Sequence, residues 1–221
     1  MKKVFHVTLL ISLLTLILPN DGLIAQLAGN RYQPRLPSMK LTLEGGISFA
    51  GNDFTKPSNI AVPCFAGGVN VGFLFGKYFL LGVDFGAGTM KTDRDNMVTK
   101  STYGHSMLRA ELRYQIPRSR FVIFGYARGG LLLYQPEFSS KLEDADVEYS
   151  EKGKTLGTFA YGIGVGSEVM ISRNFSFQIE AGLNTTSSDK LDYFKIGDKN
   201  DGWAHFGIGL SYYLPLRRGA R

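Results

Sequence analysis

The last patterned stretch of the chain, Trp203 to Leu216, constrains the fold more tightly than any other. Phe206, Ile208, Leu210, Tyr212 and Leu214 take every second position, with Gly207, Gly209, Ser211 and Tyr213 between them. Side chains of an extended strand point alternately to its two faces, so this spacing predicts one apolar face and one small or hydroxylated face. About ten such residues, with aromatics near both ends, are also what a tilted strand needs to cross a bilayer.

Seven earlier segments carry the same alternation. The first spans about Lys40 to Ala50, with Leu41, Leu43, Ile47 and Phe49 opposite Thr42, Glu44 and Ser48. Others are predicted over about Cys64–Phe75, Tyr78–Met90, Thr102–Ile116, Arg120–Tyr134 and Leu156–Ile171, and one begins at Phe175. The fifth is apolar on both faces. Placing Arg128 inward puts Phe121, Ile123, Leu131 and Leu133 outward. Gly76-Lys77, Pro117-Arg118-Ser119 and Ser172-Arg173-Asn174 read as short turns, and the alternate connections are much longer. Short turns at one end and long loops at the other, with an even strand count, predict an all-β fold: an eight-stranded antiparallel up-and-down transmembrane β-barrel. Closure leaves no unpaired strand edge in hydrocarbon.

Composition agrees. Mean hydropathy is near zero, at −0.04, as expected when lipid-facing and lumen-facing residues average out along each strand. The chain begins with Met1-Lys2-Lys3 and an almost unbroken apolar run from Val4 to Leu18 that stops at Pro19, short of the about 20 residues a spanning helix needs. Residues 1–25 therefore read as a cleaved signal peptide, 26–38 as a periplasmic lead-in, 39–216 as the barrel and 217–221 as a basic periplasmic tail. The expected location is the outer membrane of a Gram-negative bacterium. Net charge is +6, but the basic residues are scattered and the chain is exported, which argues against nucleic acid. The single cysteine, Cys64, excludes an internal disulfide.

Aromatic residues fall near strand ends, as an interfacial girdle requires. Phe75, Tyr78, Phe79, Tyr114, Phe121, Phe175, Tyr212 and Tyr213 are assigned to the periplasmic rim. Phe49, Phe65, Tyr103, Tyr134, Phe159 and Trp203 are assigned to the external one.

The alternation also predicts a charged lumen formed by Glu44, Asp84, Arg109, Glu111, Arg113, Arg128, Glu168 and Glu180. Charges withdrawn from water must pair, and a barrel of eight strands is just wide enough for its own side chains. A salt-bridged plug is the expected arrangement; a narrow gated ion path is the alternative. The longest predicted loop, Gln135 to Lys154, is acidic, and Glu137, Glu143, Asp144, Asp146 and Glu148 are its candidate external contacts.

Signs of chemistry are weak. Gly162-Ile163-Gly164-Val165-Gly166 mimics a dinucleotide fingerprint, but no helix follows and the glycines repeat at strand spacing. Asp189, Asp192, Asp198 and Asp201 do not have calcium-loop spacing. A lipid-modifying enzyme would need a nucleophile, base and acid in reach; Ser106 points away from His105, and His205 lies on another strand. No catalytic residue, metal site or cofactor is assigned.

YFLLGVDFGAG, LRAELRYQIPRSRFVIFGYARGG, FAYGIGVGSEVMISRNFSFQIEAGLN and GWAHFGIGLSYYL together resemble the outer-membrane β-barrel proteins common in Bacteroidetes, including PorT-like members. The resemblance covers about Met39 to Leu216 and implies fold and location. It departs at the C-terminus, where PLRRGAR replaces the terminal aromatic often read by barrel-assembly machinery. Implied partners are outer-membrane lipid, that machinery during biogenesis, and secretion-system or cell-envelope proteins. The expected role is non-enzymatic, structural or interactive.

Overall fold

Alternation along the chain becomes eight strands in the computed structural model, which describes residues 33–34, 36–51, 63–91, 98–117, 119–138, 155–187 and 202–216. The strands are β1 (Ser38–Gly51), β2 (Pro63–Phe75), β3 (Phe79–Lys91), β4 (Val98–Gln115), β5 (Phe121–Phe138), β6 (Leu156–Met170), β7 (Phe175–Thr186) and β8 (Gly202–Pro215). Each pairs antiparallel with the next, and β1 pairs with β8, so the sheet closes into a barrel. The fold is therefore the predicted eight-stranded antiparallel barrel.

The short connections, residues 76–78, 116–120 and 171–174, lie at one end with the start of β1 and the end of β8. That end is periplasmic by the short-turn rule. The first of these turns needs Gly76, whose φ of 68° is one that a residue with a Cβ adopts only at a cost.

Burial follows the pleat. On β7 the residues from Phe175 to Thr186 alternate almost perfectly between exposed and buried. Leu43, Leu108, Leu131, Ile163, Leu183 and Leu210 are at least 60% exposed, which is the apolar coat a bilayer-spanning barrel presents to lipid. The inner face of β5 is Val122, Phe124, Tyr126, Arg128, Leu132 and Tyr134, all buried, while Ile123, Leu131 and Leu133 face out.

Several expectations change. Tyr103, Tyr134, Trp203 and Tyr213, expected in the lipid-facing girdle, are each at most 4% exposed and pack inside the barrel. Their own parity explains this, since each shares a face with inward neighbours such as Met107, Leu132, His205 and Ser211. Strands β4 and β5 also run further outward than predicted. Lys100 pairs with Glu137 and Thr102 with Gln135, so Glu137 belongs to β5 and not to a free loop. Glu143, Asp144, Asp146 and Glu148, the signal peptide and the basic tail lie outside the described residues.

Candidate functional site in the barrel lumen

The lumen is a stack of layers. Nearest the periplasm, Leu74, Leu80, Val122, Met170 and Tyr213 form an apolar layer. At the other end Met90, Tyr103, Met107, Leu132, Tyr134, Ala160 and Trp203 form a second. Between them lie the charges. All eight residues expected to line the lumen are on the inner face, seven of them buried and Glu44 half-buried.

The lower charged layer centres on Glu168. One of its oxygens accepts from Lys40 Nζ at 3.1 Å and from Arg113 Nη2 at 2.5 Å. The other accepts from Tyr213 Oη at 2.6 Å and from Ser176. Four donors on one carboxylate satisfy its lone pairs and offset the cost of burying it. Tyr213 Oη in turn accepts from Arg113 Nη2 at 2.7 Å, and Lys40 also donates to Gln178 Oε1 at 2.8 Å. Lys40 is a lumen cation missing from the sequence-based set. It shares the parity of Thr42 and Glu44, which is the signal that identifies it.

Glu111 joins the layers. Arg113 Nη1 donates to its Oε2 at 2.7 Å, and Arg109 Nε lies 2.9 Å from its Oε1 in an ionic contact without hydrogen-bond alignment. Arg109 then grips Glu180 at two points, Nη1 to Oε1 at 3.2 Å and Nη2 to Oε2 at 2.8 Å. Its guanidinium carbon sits 3.8 Å from the centre of the Tyr126 ring, a cation–π contact. Asp84 Oδ2 is 3.6 Å from both Arg109 and Arg128.

His205 is the second residue that parity reveals inside. Arg128 Nε donates to Asn184 Oδ1 at 2.9 Å, which fixes the amide and leaves Asn184 Nδ2 to face His205 Nδ1 at 3.2 Å. Arg128 Nη2 also reaches His205 Nδ1 at 3.2 Å. Both groups can only donate, so Nδ1 is the acceptor and Nε2 carries the proton. That N–H faces Tyr126 Oη at 2.9 Å and Glu180 Oε1 at 3.3 Å.

This tautomer bears on metal binding. Glu44, Glu180 and His205 each offer a ligand atom, all within 4.8 Å of one another. A metal on Nε2 would force the proton onto Nδ1, against two donors, and Arg109 already occupies both oxygens of Glu180. The donor set does not fit a cation. Glu44 itself has no hydrogen bond or ion pair among the described residues, which corrects the expectation that every lumen acid pairs. It borders a cavity of about 40 Å³ shared with Asn70, Asp84, His105, Arg128 and His205. His105 faces this cavity and Ser106 the outside, so these two neighbours do not meet as base and nucleophile.

A closed eight-stranded barrel with an apolar exterior and an ion-paired interior defines a small outer-membrane β-barrel protein. The chain belongs to the outer membrane protein beta-barrel domain family, whose profile matches residues 26–213. Comparison with curated protein sequences returns no match. Among solved structures the chain is similar to Neisserial surface protein A, with 11% identity over 79% of this chain and 96% of that one, and a TM-score of 0.56. It is also similar to OprG of Pseudomonas aeruginosa, with 8% identity over 84% and 99% of the two chains and a TM-score of 0.49. Ail, the attachment invasion locus protein of Yersinia pestis, follows at 9% identity over 80% and 99%, with a TM-score of 0.47. These likenesses concern fold.

Proposed function

We propose that the chain is a non-enzymatic outer-membrane barrel with a structural or protein-interaction role, acting through its external connections. The observation that supports this reading is the filled lumen. Four acids (Asp84, Glu111, Glu168, Glu180) pair with four cations (Lys40, Arg109, Arg113, Arg128) between two apolar layers, with Glu44 beside them. Such an interior is a scaffold, and it leaves the outer surfaces to carry activity. A gated pore would have to part both apolar layers and break paired buried charges, each costly to separate.

The acidic stretch with Glu143, Asp144, Asp146 and Glu148 is the leading contact surface, and a basic or cell-envelope protein its natural partner by charge. The resemblance to PorT-like barrels favours a place in a secretion or envelope-assembly complex, on analogy. The test is mild cross-linking of a loop-tagged barrel in intact outer membranes, followed by purification. Stoichiometric recovery of envelope proteins, lost when those four acids become Gln or Asn, is the expected result. Recovery of the barrel alone would remove the interaction role.

A further inference from the structure

Register places two like charges side by side at the external end of the outer wall. Lys91, the last residue of β3, is the direct partner of Lys100 on β4. Both share the parity of the lipid-facing residues on their strands, Phe85 and Leu108 among them. Like charges directly opposite on a sheet repel, and an anion between them turns that repulsion into attraction.

Beneath the lysines the wall steps inward. Thr89 partners Thr102, and one step further Ala87 partners Gly104. Ala87 also partners Gly67, which partners Gly45, so four small residues cross four adjacent strands on the outer face. They leave an apolar groove of about 540 Å³, walled by Val69, Phe85, Leu131 and Leu133. It lies in the half of the barrel nearer the long connections, the outer leaflet.

We propose that this face holds one phosphorylated lipid of the outer leaflet, of the lipid A class, with its phosphate at Lys91 and Lys100 and an acyl chain in the groove. Charge and shape select this occupant together. Lysine ammonium groups bind phosphate as point charges, and the hydroxyls of Thr89 and Thr102 offer hydrogen bonds at the depth where head meets chain. A second barrel docked here about a two-fold axis would bring four lysines together, which Coulomb repulsion opposes. On its other side Lys100 is in register with Glu137, so the two lysines are tested separately.

The experiment is native mass spectrometry of the full barrel in detergent, with bisphosphorylated lipid A, phosphatidylglycerol or phosphatidylcholine added. One lipid A per barrel, retained in preference to both others, is expected. Lys91→Gln and Lys100→Gln alone should each weaken retention about fivefold and the Lys91→Gln/Lys100→Gln pair about 25-fold, from the usual contribution of a basic residue at a membrane surface. Gly104→Leu should also abolish retention: an added Cβ there meets its nearest other atom only at 3.7 Å, so the groove fills without disturbing the wall. Unchanged thermal midpoints would show that these variants fold. Equal retention of all three lipids, preference for phosphatidylglycerol, retention unaffected by the variants, or a lipid-free dimer broken by Gly104→Leu would each overturn the assignment.

Discussion

Arg109 on β4 and Glu180 on β7 meet in a two-point ion pair across the lumen, although two strands separate them in the sheet. The pair braces opposite walls and is almost wholly shielded from water, each side chain being at most 1% exposed. Arg109→Ala would leave Glu180 without its cation and weaken the pairing of Glu111 and Asp84, and is expected to cost about 3–5 kcal/mol of unfolding free energy in detergent. Replacing both partners, as Arg109→Met with Glu180→Met, should recover much of that loss. Urea titrations of the three proteins decide it, and equal losses in the single and double variants would argue against a direct pairing.

Tyr213 serves the lower layer as both donor and acceptor, between Arg113 and Glu168. Tyr213→Phe keeps the ring in the periplasmic-side apolar layer and removes only the hydroxyl. The expected loss is about 1–3 kcal/mol, the cost of leaving a buried charged group short of a partner. A thermal midpoint equal to wild type would mean that the hydroxyl contributes nothing.

His205 provides a spectroscopic check. With Arg128 and Asn184 donating to Nδ1, the ring nitrogen shifts should report a neutral imidazole protonated at Nε2. Added Zn²⁺ should leave both those shifts and the thermal midpoint in place. A Zn²⁺-dependent rise in stability that Glu44→Gln abolishes would contradict the assigned tautomer.

The ion-paired lumen between two apolar layers predicts silence in a planar bilayer. Discrete conductance steps whose ion selectivity changes in Glu180→Gln would favour the pore.

Catalysis on lipid is tested in the cell. With His105 directed inward and Ser106 outward, lipid A from a deletion strain should have the wild-type mass profile. An altered profile, reproduced by His105→Ala, would show an enzymatic role.

Strand number, order and the two faces were legible from period-two patterning, because the pleat makes each residue's side depend only on its parity. For β5, apolar on both faces, the pattern favours Arg128 inward but leaves the face open, and the closed barrel buries Arg128. Nearness to a strand end is the weaker signal: Tyr103, Tyr134, Trp203 and Tyr213 lie where an aromatic girdle is expected, yet their alternation points inside. Lys40, at the margin of its strand, likewise points inside by its alternation with Thr42 and Glu44.

The sequence by itself determined that this chain is a lipid-coated barrel with a charged interior, since apolar and polar positions alternate locally and need no distant information. Only the tertiary structure decided who meets whom inside. Arg109 finds Glu180, Lys40 finds Glu168 and His205 finds Arg128 because of strand stagger and closure, which set the height of each residue in the lumen. The lysine pair above the small-residue groove arises in the same way. Cross-strand register, a property of the closed sheet and not of any one strand, brings Lys91 beside Lys100 and Ala87 beside Gly104.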